Sequence, residues 1–135
     1  MNRRDFIERG GRTSFLTAVM ATSFGMAAEN REFCNNFVHH VFFWLKEPNN
    51  KEHHEIFQNA LEKLVTIESI QSYHLGKPAD TNREVIDSSY QYSLLTIFEE
   101  KAAHDSYQVD AVHDEFRKVA SDLCSKVVVY DSVDI

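Results

Sequence analysis

The sequence predicts an α+β domain with the element order β-α-β-β-α-β, the split βαβ or ferredoxin-like arrangement. Three observations carry that expectation. Residues 37–45 read FVHHVFFWL, aromatic and β-branched throughout, and the Pro48-Asn49-Asn50 turn stops them, which is the chemistry of a strand. Apolar residues after the turn recur at helical spacing. Two more strand-like runs, a second helical stretch and a closing apolar run follow, with no solenoid repeat and no low-complexity tract.

In the first strand, alternation sends His40, Phe42 and Trp44 one way and His39, Val41, Phe43 and Leu45 the other. Both faces are apolar, so both are expected to be covered. Ile56, Ala60, Leu61, Leu64 and Ile67, with Glu52, Glu55, Glu62 and Lys63 between them, mark an amphipathic helix. Ile70 to Leu75 is a short strand ending at Gly76-Lys77-Pro78, and residues 79–89 are a polar loop. Tyr90 to Phe98 is the third strand. Helical segments cover Lys101 to Leu123 with a break near Asp110, and Lys126 to Val133 closes as the fourth strand.

The chain has 135 residues, enough for one domain. A net charge of -7 without any basic block argues against nucleic acid or an anionic membrane as partner. The charge is uneven. Arg3, Arg4, Arg9 and Arg12 stand before the uncharged run Thr13 to Ala28, whose end is rich in small residues, the layout of an export signal. Asn2-Arg3-Arg4-Asp5-Phe6-Ile7 resembles the twin-arginine signature, which addresses folded proteins. Gly25 and Ala27 suit a cut after Ala27, so residues 1–27 read as a signal peptide, 28–36 as a polar linker and 37–135 as the folded domain. The uncharged run is shorter than the roughly 20 residues of a membrane span, and no stable membrane insertion of the mature protein is expected. The expected location is periplasmic or extracellular, and cytoplasmic if the N-terminal segment is not a signal. Cys34 and Cys124 are too few for a disulfide scaffold and lack CxxC spacing. No intrachain bridge is expected between them.

Val38 to Lys46 (VHHVFFWLK), Gly76-Lys77-Pro78, Tyr90-Gln91-Tyr92, Tyr107 to Phe116 (YQVDAVHDEF) and Lys126 to Asp131 (KVVVYD) together resemble the stress-responsive A/B barrel (Dabb) family. The resemblance covers the chain after Asn36. It implies a dimeric α+β barrel in which two four-stranded sheets face each other with helices outside, and thus a homodimer. A sheet face carrying His39, Val41 and Phe43 is expected at the dimer contact, and the face carrying His40, Phe42 and Trp44 toward the helices and a ligand pocket.

A plant polyketide cyclase of that family closes a poly-β-ketone by aldol condensation without metal or organic cofactor, using a Tyr and a His. Carried over by motif, the Tyr corresponds to Tyr107 and the His to His113, and the intervening His-Pro corresponds here to Asp110-Ala111. The first-strand His corresponds to His40, and a third-strand His to Tyr92. Chemically, an imidazole removes a proton from carbon between two carbonyls while a phenol donates to the enolate oxygen. The two residues are six apart, which a helix break near Asp110 would bring together, with Asp110 as the group that orients His113. His40, Phe42, Trp44, Phe57, Tyr92, Leu94, Asp110, Val127 and Val129 are the expected pocket. Such a site acts on a small apolar carbonyl compound, in the manner of a cofactor-independent cyclase or lyase. The alternative is a non-catalytic stress-response barrel that binds a ligand or partner. No cofactor is expected, and no metal: His40, Asp110 and His113 lack diagnostic spacing. His53, His54, His74 and His104 read as solvated or rim residues.

Overall fold

The computed structural model describes residues 35–135. The expected signal segment, its cut site, most of the linker and Cys34 lie outside them. Four strands and three helices follow in the order β1 (Phe37–Leu45), α1 (Lys51–Leu64), β2 (Ser72–Gly76), β3 (Tyr92–Phe98), α2 (Lys101–Gln108), α3 (Ala111–Leu123) and β4 (Cys124–Val133). The second helical stretch is thus two helices. The sheet order is β2-β3-β1-β4 and every pairing is antiparallel, the ferredoxin-like arrangement. Among the described residues no helix is long and apolar enough to cross a membrane.

Asn50 starts α1 by accepting hydrogen bonds from the backbone N–H groups of Glu52 and His53 through its side chain, which satisfies donors that the helix itself leaves open. The helix buries Phe57, Leu61 and Leu64, whereas Ile56 is 42% exposed. Ile67 lies beyond the helix and is buried from the following turn. Just before the Asn50 cap, the Lys46 ammonium donates to the carbonyls of Ser121 and Asp122 at 3.0 and 2.8 Å, closing the C-terminus of α3 with a cation. The core is an aromatic layer: Phe57 stands edge-on to Phe43 at 5.1 Å and packs against Tyr92 and Phe116 at 5.2 and 5.7 Å.

The orientation of the sheet reverses the expectation. His39, Val41, Phe43 and Leu45 are buried beneath the helices, while His40, Phe42 and Trp44 occupy the opposite face and are half-buried. The face carrying His39, Val41 and Phe43 is therefore the core and not a dimer contact. Register explains the outcome. Val41 pairs with Leu94 and Phe43 with Tyr92, so both strands turn their most apolar alternation toward α1 and α3, and a slip of one residue would exchange the faces. On the other face Phe42 meets Tyr90 at 4.9 Å and Tyr130 at 6.1 Å, and Lys126 lies 4.5 Å over the Trp44 ring.

Candidate functional site

The helices cover β1 and β3 more fully than β4, so Val127 and Val129 on the helix side of β4 remain 46% exposed. Between them and α3 lies a cleft of about 510 Å³. Val41, Phe43, Leu94, Phe116, Val127 and Val129 supply its apolar wall. His39, Tyr107, Gln108, His113 and Arg117 supply its polar side, and among the described residues no carboxylate lines it.

Tyr107 and His113 meet because the helix breaks between them. Val109 and Asp110 leave α2 and enter α3, and the two rings come to 4.5 Å in an edge-on contact. Arg117 ties the break together, donating to the Asp114 carboxylate at 2.8 Å and, across the gap, to the Gln108 carbonyl at 2.7 Å. Tyr107 is 1% exposed, and burial pushes its phenol above the ordinary value. Among the described residues His113 Nδ1 is buried without a hydrogen-bond partner. Desolvation, reinforced by the Arg117 charge, lowers the His113 pKa to about 4. Its imidazole is neutral across the physiological range.

Asp110 does not orient His113. Its carboxylate accepts the Val112 N–H at 2.8 Å and caps α3, the ordinary use of Asp at a helix start. His40, Phe42 and Trp44 are on the far side of the sheet and take no part in the cleft. Phe57, on α1, and Tyr92, on the helix side of β3, belong to the core and not to the cleft lining: the Tyr92 hydroxyl is held by His54 Nδ1 at 2.5 Å and Gln58 at 2.8 Å. Leu94, Val127 and Val129 are in the cleft wall. His40, Asp110 and His113 cannot share an ion from these positions.

Two residues not anticipated from the sequence stand beside His39, outside the cleft lining. His39 Nδ1 lies 2.6 Å from the Asp131 carboxylate, its direct partner in the antiparallel register of β1 and β4. His104 is buried rather than a rim residue; its ring is 4.8 Å from that of His39 and stacks on Phe37 at 4.4 Å. Desolvation lowers its pKa, with Asp131 and Asp105 opposing. Cys124, a free thiol in the cleft wall, is raised to about 11 by burial. The signal for His39 was its place in the alternation with Val41, Phe43 and Leu45, which does not by itself say which face is inside.

Solved structures similar to this one share its fold. A Dabb family protein with a ferredoxin-like fold from Mesorhizobium loti superposes with a TM-score of 0.62 and 22% identity, over 74% of this chain and 97% of that one. A dimeric ferredoxin-like protein of unknown function from Thermobifida fusca gives 0.61 and 16%, over 78% and 97%. A hydroxynitrile lyase from Passiflora edulis gives 0.62 and 18%, over 75% and 94%. No curated protein matches the sequence. Residues 37–134 match the stress responsive A/B barrel domain, and with most of its length accounted for in this way the chain belongs to the Dabb family.

Proposed function

We propose that this protein is a homodimeric barrel whose cleft binds a small apolar carbonyl compound and promotes loss of a proton next to the carbonyl, with Tyr107 and His113 as the reactive pair. The observation that carries the reading is a buried polar atom that the fold leaves unsatisfied, His113 Nδ1, on a ring that meets the Tyr107 phenol edge-on at 4.5 Å at the wall of the cleft. An unpaired buried polar group costs about 1–3 kcal/mol, and a ligand that hydrogen-bonds it recovers that cost. The phenol, held protonated, donates to the carbonyl oxygen as negative charge develops there. The neutral imidazole accepts the proton or holds the acidic hydrogen. A weak base of this kind suits a carbon acid activated by two carbonyls. The Passiflora edulis lyase with the same fold supports the reading as a precedent for small-molecule chemistry on this scaffold.

The second copy belongs on the sheet face that carries His40, Phe42 and Trp44, where Tyr90 and Tyr130 extend an aromatic surface too large to be left in water. Dimeric proteins of this fold from Thermobifida fusca and Bacteroides fragilis support a dimer. Export belongs to the same reading, with maturation after Ala27; N-terminal sequencing of the protein recovered from outside the cytoplasm tests it, and an intact Met1 would contradict it.

Native mass spectrometry of the purified dimer tests the cleft. We expect a co-purified small molecule bound one per chain, lost in His113→Ala and Tyr107→Phe. A ligand retained by both variants would transfer the function to a non-catalytic binding surface elsewhere.

A further inference from the structure

We propose that His39, His104 and Asp131 form a binding site for a divalent first-row transition metal ion of the zinc type. The three side chains come from β1, α2 and β4, and one donor atom from each lies within 4.8 Å of the other two. Two imidazoles and one carboxylate are the donor set such ions take in proteins, leaving a further position for water or an oxygen ligand. Donors arranged tetrahedrally at bonds of about 2.1 Å stand about 3.4 Å apart. Uptake of an ion therefore needs the 2.6 Å contact between His39 Nδ1 and Asp131 to open and His104 to draw in. Both movements are within the reach of side-chain rotations.

Packing alone does not explain His104. Its ring fills an aromatic layer against Phe37 and Phe98 at 4.4 and 5.3 Å, a place where a phenyl group would serve without desolvating two nitrogens. Each nitrogen instead has a polar neighbour: the Gln108 amide is 3.1 Å from Nε2, and the Asp105 carboxylate is 3.7 Å from Nδ1. Arg117 donates to Gln108 Oε1, so the Gln108 amide N–H faces His104 Nε2 and donates to it, and that bond has to open for Nε2 to ligate an ion. His39 is 7% exposed in its side chain and Asp131 43%, so the site is closed by the fold on one side and open to an entering ion on the other. His39 also lines the cleft, with its ring 5.9 Å from that of Tyr107. An ion here is joined to the cleft through His39.

The inference goes beyond the carbonyl reading and does not depend on it. The test is a Co²⁺ titration of the full chain after removal of metals with a chelator, followed by displacement with Zn²⁺. We expect one saturable site per chain in the micromolar range or tighter, with visible absorption of four- or five-coordinate cobalt. His104→Phe, which keeps the ring, and Asp131→Asn should each weaken binding at least about a hundredfold, the upper end of what loss of even an outer-shell partner costs. His74→Ala should bind as the parent does. Absence of saturable binding would overturn the assignment, as would full affinity in both folded variants or a signal abolished by Cys124→Ser and kept by His104→Phe. If His104→Phe fails to fold, Asp131→Asn, altered at a partly exposed position on the outer strand β4, decides alone.

Discussion

On its helix-covered face β1 contributes His39, Val41, Phe43 and Leu45, all buried; on its other face the same strand contributes His40, Phe42 and Trp44, all half-buried. The two sets are nearly alike in composition, and they are used differently. Beneath the helices His39 is tied to Asp131, and His113 Nδ1 is left without a partner beside the cleft. On the open face the aromatic groups touch one another at 4.4 to 6.3 Å without helices to bury them. Similar apolar chemistry thus serves as closed core on one side and as unfinished interface on the other. The distinction comes from where the helices lie and not from the residues of the strand.

The strongest way to break the comparison is to remove mass from the closed side. Phe57 is fully buried among Phe43, Tyr92 and Phe116, and Phe57→Ala should lower stability by about 3–5 kcal/mol. Urea unfolding measures this, and a loss below about 1 kcal/mol would mean that the aromatic layer is not the core. Within the cleft, His113→Ala should reduce ligand binding or turnover about a hundredfold, the scale of losing a general base. Under the same assay His40→Ala should leave it unchanged, and the reverse result would return the site to the other face.

On the open side, Phe42→Asp should leave the monomer folded and weaken self-association by about 2 kcal/mol or more, since a charge would replace a central aromatic contact. Light scattering across a dilution series reads the change. A monomer in the unaltered protein at micromolar concentration would remove the interface from this face altogether. Smaller still is Asp110→Ala, which deletes the cap of α3 and should cost about 1 kcal/mol, whereas Asp110→Ser keeps the cap. Thermal melts of the two should differ while ligand affinity of the serine variant stays at the parent level. An affinity loss in that variant would restore Asp110 to the site.

A further effect is in pH. The folded-state pKa of His113 is about 4, below its ordinary 6.5, so the unfolded chain binds that proton more readily than the folded one. The contribution of neutral His113 to stability is complete above about pH 6.5 and is lost as pH falls toward 4. The charges that act on its ring are Arg117, His39 and His104, which lower the value, and Asp114, which raises it. Comparing parent and His113→Gln isolates the effect, because His104 is depressed in the same direction. Their stabilities should converge with acidification; parallel curves between pH 7 and 4 would refute the shift.

Much of the fold was legible because each element has a local cause. Alternation in Phe37–Leu45, helical spacing around Leu61 and the break near Asp110 depend on neighbours in sequence, and all three appear in the structure. The inward face of β1 was not legible, since His39 and His40 are both flanked by alternating apolar residues and only pairing with β3 and β4 distinguishes them. The same limit hid Asp131, which reaches His39 across 92 positions of chain. His104 reads as a polar residue in a short helix and is buried only because Phe37 and Phe98 close around it. Tyr107 and His113 were readable as a pair because one break in one helical stretch decides whether they meet.

That break also limits how the chain can change length. Arg117 anchors to the Gln108 carbonyl on one side and Asp114 on the other, so the first turn of α3 is held in rotation as well as in position. One residue added between Asp110 and His113 would turn the helix face by about 100° and advance it about 1.5 Å, sending the imidazole away from the Tyr107 ring. An insertion of about a full helical turn, three or four residues, would nearly restore the phase. Length variation at this point is therefore stepwise, and the helical pitch sets the size of the step.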